Sequence, residues 1–129
     1  MRKRKIATRD AFFAMASQVK REDVPVPELG EGCVIPVWQF TAREKTEWEL
    51  SQVFEGPKAN RLSVRERLVV AVCRNDDGVS IFTQEDVAKL AKCAVSVIER
   101  IVNVAQRLNS VSEEDIAALA KNSEPTNED

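Results

Sequence analysis

The side chains that could do covalent or metal chemistry in this chain are few, and their spacing suits little of it. None of the 129 residues is histidine. That removes the usual general base near neutral pH, a frequent zinc ligand, and every serine–histidine or cysteine–histidine nucleophile pair. The cysteines, Cys33, Cys73 and Cys93, are odd in number, widely spaced and never arranged as C-x-x-C, so neither a disulfide framework nor a zinc knuckle is expected. Asn75-Asp-Asp-Gly78 sets two carboxylates beside an amide. It lacks the ligand spacing and distal glutamate of a calcium loop, and reads as a turn. Glu113 and Glu114 stand where a helix N-terminus favours negative charge. Gly30, Gly32, Gly56 and Gly78 fit no phosphate-cradling pattern. No catalytic residue, cofactor or metal site is therefore expected, and a binding or assembly protein is favoured over an enzyme.

Charge is distributed unevenly. Residues 1–21 carry +6, residues 22–60 carry −5, residues 61–110 about +2, and residues 111–129 carry −5, for a net charge of −2. The basic start, Arg2 to Lys5, can pair with phosphate or carboxylate, or can simply be solvated. At the other end, Asn122-Ser-Glu-Pro-Thr-Asn-Glu-Asp129 offers nothing apolar to bury and is expected to be disordered. The organisation this predicts is a basic flexible arm over 1–8, one domain over 9–121 and an acidic tail over 122–129. No long apolar run occurs and the basic start leads into polar residues, so neither secretion nor a membrane span is expected.

The elements that must position any binding surface follow from local patterns. Thr8 can cap a helix over 9–20 whose apolar stripe is Phe12, Met15, Ala16 and Val19, with Phe13 beside it. Val24 to Leu29 is expected to be extended by Pro25 and Pro27, followed by a turn at Gly30-Glu-Gly32 and a return strand over 33–40. Thr41-Ala-Arg-Glu44 is a capping box opening a helix over 42–54, whose Trp48 and Phe54 are expected to pack on Trp38 and Phe40. A polar loop over 55–62 precedes a second capping box, Ser63 to Glu66, and the apolar run 68–72, expected to form the most buried helix. From Thr83 a long helical pattern runs to Leu108, as one helix or two. Asn109 to Ser112 breaks it, and a last short helix carries Ile116 and Leu119. The fold class is thus α+β, mostly α: an N-terminal helix, one β-hairpin, then a bundle of four to five helices.

Two resemblances bear on function. Thr83-Gln-Glu-Asp-Val-Ala-Lys-Leu-Ala91 followed by Val95-Ser-Val-Ile-Glu-Arg-Ile-Val-Asn103 is similar to the helix-turn-helix of sugar-responsive bacterial repressors. It implies a DNA-binding regulator using residues 83–108. The usual turn glycine and serine cap are Lys92 and Ala94 here, and residues 83–110 net only about +1, whereas phosphate contacts demand several cations, so nucleic acid is not the expected partner.

The other resemblance spans nearly the whole chain. An N-terminal helix, Val24-Pro-Val-Pro-Glu-Leu-Gly30, Val37-Trp-Gln-Phe-Thr-Ala-Arg-Glu44, Arg67-Leu-Val-Val-Ala-Val72, Asn75-Asp-Asp-Gly78, Phe82-Thr-Gln-Glu-Asp-Val87 and Ala105-Gln-Arg-Leu-Asn-Ser-Val-Ser-Glu-Glu-Asp115 follow one another as they do in the small tail assembly chaperones of long-tailed bacteriophages, which this chain resembles. The order and spacing of the pieces carry the likeness. It implies a non-enzymatic protein of the host cytoplasm that coats the tape measure protein and helps to recruit tail tube subunits. It also implies absence from the finished virion and, in some members, a longer frameshifted product. A third possibility is a structural head or tail subunit retained in the particle. A chaperone for a helical client needs exposed apolar residues. The candidates are Phe12 and Phe13 on the first helix, Trp38 and Phe40 on the hairpin, and Val97 and Val104 on the long helix, each of which could equally belong to the core. Self-association is expected, with the hairpin as one contact.

Overall fold

The computed structural model describes residues 3–54 and 63–122. The architecture is α+β and mostly helical: α1 (Arg9–Ala16), a hairpin of β1 (Arg21–Pro25) and β2 (Val34–Trp38), then α2 (Ala42–Phe54), α3 (Val64–Val72), α4 (Val87–Leu90), α5 (Val95–Asn109) and α6 (Glu113–Asn122). The loop expected over 55–62 and the disordered tail expected over 122–129, Asn122 apart, lie outside the described residues, as does the Phe54 side chain.

Helix α1 is capped as the sequence predicts, with Thr8 Oγ1 accepting from the Ala11 amide at 3.2 Å. It is shorter than the expected 9–20. The chain beyond Ser17 is drawn out by the hairpin: the Gln39 amide donates to the Lys20 carbonyl at 2.8 Å, and the Lys20 amide donates to Gln39 Oε1 at 3.1 Å. The same pull moves the first strand toward the N-terminus of its expected range. β1 pairs antiparallel with β2 from Arg21↔Trp38 to Pro25↔Val34, while Pro27–Leu29, expected to be extended, forms a short 3-10 turn. Gly30 and Gly32, at φ 137° and 78°, take the left-handed backbone needed between the strands.

α3 is the most buried helix, as its apolar run predicts. Leu68, Val69 and Val72 are fully enclosed, and each such side chain contributes roughly 1.5–3 kcal/mol relative to exposure. It packs against α2, α4, α5 and α6. α5 supplies Ile98, Ile101, Val102 and Ala105 to the same core, and the hairpin adds Val24 and Val37. The pattern over 84–108 resolves into two helices. After a 3-10 turn at Gln84–Asp86 and the brief α4, the chain turns, and Ala94, at φ −58° and ψ 133°, stands as the N-cap of α5. At the far end Ser110 adopts the left-handed conformation, φ 53°, and stops the helix where Asn109-Ser-Val-Ser112 predicts. The cap of α6 follows its pattern: the Asp115 amide donates to Ser112 Oγ at 3.0 Å and the Ser112 amide to Asp115 Oδ2 at 2.9 Å.

Candidate partner-binding surfaces

The first helix carries its apolar side chains outward. None of its residues is buried; Phe12 and Phe13 are each 54% exposed and Met15 is 73% exposed. Of the predicted stripe, Phe12, Met15 and Ala16 thus face solvent, while Val19 lies beyond the helix and is half-buried. The two phenyl rings meet edge to face with centroids 5.6 Å apart, and the Arg9 guanidinium lies 5.2 Å from the centre of the Phe13 ring. Ile6, in the basic stretch before the helix, is also exposed. The sequence signal for Met15 was its place in the stripe, but a helical stripe does not say which way it points; Ile6 lies before the helix and carried no such signal.

The hairpin aromatics separate instead of forming one surface. Phe40 is 7% exposed and packs on Trp48 with centroids 6.0 Å apart, so it is a core residue and not part of a docking face. Trp38 is half-buried on the other side. Its Nε1 donates to the Arg74 carbonyl at 3.2 Å, and the Arg21 guanidinium sits 5.5 Å from its ring centre. Of the two candidates on α5, Val104 is half-buried and packs against the core, whereas Val97 is half-buried near the exposed start of the helix, where Val95 is 68% exposed. The six candidates are thus not assembled into one site. Phe12 and Phe13 are adjacent and open, and the other four lie elsewhere.

What holds the hairpin to α5 was not visible as a motif. Arg100 donates to Glu28 through two nitrogens at 3.0 and 2.9 Å and to the Pro25 carbonyl at 3.1 Å, and two turns later Arg107 reaches both oxygens of Glu22 at 2.9 Å. The Arg100 hydrogen bonds pull the Glu28 carboxyl down from the usual 4.5 to about 2. Their seven-residue spacing on one helix face was the available signal. Inside, Asn109 joins the end of α5 to the strand. Its Oδ1 accepts from the Phe40 amide at 2.6 Å, while Nδ2 donates to the Ala105 carbonyl at 3.0 Å and the Trp38 carbonyl at 3.4 Å.

Among the described residues no group of three or more histidine, cysteine or carboxylate side chains is placed to hold a metal. Asn75 Oδ1 accepts from the amides of Asp77 and Val79 at 2.9 and 3.0 Å, which is a turn stabilised by its own side chain. Cys73 is enclosed, and burial pushes its thiol up to about 12, whereas Cys33 and Cys93 are exposed. Among the described residues no helix is long and apolar enough to cross a membrane. No protein-family model, curated protein or solved structure matches this chain.

Proposed function

We propose that this protein is a non-enzymatic assembly chaperone that binds the tape measure protein of a long-tailed phage and helps to recruit tail tube subunits in the host cytoplasm, leaving before the virion is complete. The observation that carries the reading is α1, whose Phe12, Phe13 and Met15 stand in solvent beside a basic segment. An apolar helix face without a cover is a liability on an inert monomer and an asset on a protein that holds a helical client, where apolar anchors at helical spacing meet a complementary stripe. The flanking Lys3, Arg4, Lys5 and Arg9, all exposed, keep such a segment in water until the client arrives. Tube subunits are recruited, on this reading, through a longer frameshifted form. Many weak contacts along one client call for many copies, so self-association belongs to the same proposal.

Affinity purification of the tagged protein from cells assembling particles, with nuclease treatment and mass spectrometry, tests it. A long helical protein co-eluting, and no tagged chain in purified virions, is the expected result; a tagged chain retained in virions would make it a structural subunit instead. The DNA-regulator reading gains one specific observation, the turn that separates α4 from α5 where a helix-turn-helix would need it. Against it, Arg100 and Arg107, the only cations on α5, are bound to Glu28 and Glu22. Phosphate contacts need several unengaged cations. Recovery of nuclease-sensitive DNA alone would favour the regulator.

A further inference from the structure

A groove between α3 and α6 offers α1 an apolar floor and carboxylates opposite in sign to its own flanking cations. Its floor is apolar, built from Val64, Ile116, Ala117 and Ala120, and its volume is 310 Å³. A dry cavity of about 150 Å³ already accommodates a benzene ring. Glu66 and Glu113 line the groove and Glu114 follows in the first turn of α6, while among the described lining residues the one cation is Arg65, which is bound to Glu113. The α1 segment is the mirror of this. It presents two adjacent phenyl rings with Lys3, Arg4, Lys5 and Arg9 against the single carboxylate Asp10, and none of it is buried on its own domain.

We propose that α1 of one copy docks in the α3–α6 groove of a second copy. Phe13 enters the apolar floor with Phe12 beside it, and the basic residues before and within α1 face the acidic rim, where opposite charge steers and orients the encounter. Helix and groove are different patches of the same surface, so the contact is head-to-tail. Repeated, it continues from copy to copy as an open array or a ring. This goes beyond the chaperone reading, on which it rests only in using α1 as a docking segment. It also makes self-association and client binding compete for the same two rings.

Analytical ultracentrifugation of the full chain over a range of concentrations at low and high salt tests the contact. The wild-type mass should rise above 14.4 kDa with concentration and fall back as salt is added. Phe13→Asp removes the ring, and Ala117→Trp fills the groove at an exposed position; each alone should stay monomeric with an unchanged circular dichroism spectrum. Mixed together, the two variants retain one intact helix and one intact groove, and should form a dimer of twice the monomer mass that grows no further. Glu114→Lys, a surface change, should weaken association several-fold. A wild type that is monomeric at every concentration would overturn the proposal, as would variants that associate like the wild type or a mixture that stays monomeric. Ala117→Trp also separates the two readings. It abolishes self-association while leaving client capture by α1 in place, so loss of one without the other identifies which proposal has failed.

Discussion

Helices α1 and α5 are both amphipathic on paper, and they meet opposite fates. α5 sets Ile98, Ile101, Val102 and Ala105 into the core between α3 and the hairpin, whereas α1 sets Phe12, Phe13 and Met15 into solvent. Apolar content does not separate them, since α1 carries the larger rings. Cover does. The polar edge of α5 is clamped by Arg100 and Arg107 to Glu28 and Glu22 of the hairpin region, which holds that hairpin over the helix. The nearest charges on α1 are spent within the helix itself, Arg9 lying against Asp10 and over Phe13. Periodicity reveals an apolar face, and whether the domain has anything to place on it is a separate matter.

The largest effect should come from breaking the covered helix. Val102 is fully enclosed, and Val102→Asp would bury a carboxylate among apolar side chains without a partner. The expected result is loss of the folded state. Alkylation kinetics would report it: Cys33 and Cys93 label in the native chain, while Cys73, shielded and with its thiol held near 12, becomes reactive only when the core opens. A native-like spectrum with Cys73 still protected in this variant would contradict the assigned core.

Next in size is the joint between α5 and the strand. Asn109→Ala removes the acceptor of the Phe40 amide and leaves that buried N–H without a partner, which should cost about 1–3 kcal/mol in a urea titration. The hairpin clamp should be smaller still and dependent on pH. Glu28 titrates below its ordinary value, so its contribution is complete above 4.5 and is lost as pH falls toward about 2. In Arg100→Met the NMR midpoint of the Glu28 carboxyl should move up toward 4.5, and an unmoved midpoint would mean that the pair does not hold in solution. The smallest effect on stability belongs to the uncovered helix. Phe13→Asp should shift the unfolding free energy by no more than about 0.5 kcal/mol while client capture is lost. A destabilisation comparable with that of Asn109→Ala would show that α1 packs on the domain after all, and the contrast between the two helices would collapse.

The legibility of the chain follows the range of the interactions. Caps and turns are short-range chemistry, so the residues alone located most of them, although Ser63, expected to open a capping box, makes no side-chain cap hydrogen bond on α3. Thr8, Thr41 and Ser112 each accept from an amide three residues on, and Asn75 closes its own turn. The dense run in α3 required burial whatever its neighbours, because no orientation of that helix leaves all of it in solvent. The periodicity over 84–108 left one helix or two open, since an apolar repeat can persist through a turn that only φ and ψ record.

The direction of each apolar face lay beyond the residues. Phe40 and Phe13 are the same side chain, yet one lies against Trp48 and the other in water. The contacts that decide this join distant parts of the chain: Asn109 to Phe40, Arg100 to Glu28, Arg107 to Glu22. A side chain three residues from its partner is brought to it by the backbone of one helical turn. One many tens of residues away meets its partner only when the whole domain has closed, and for that reason tertiary packing alone decided that α5 would be covered and α1 left open.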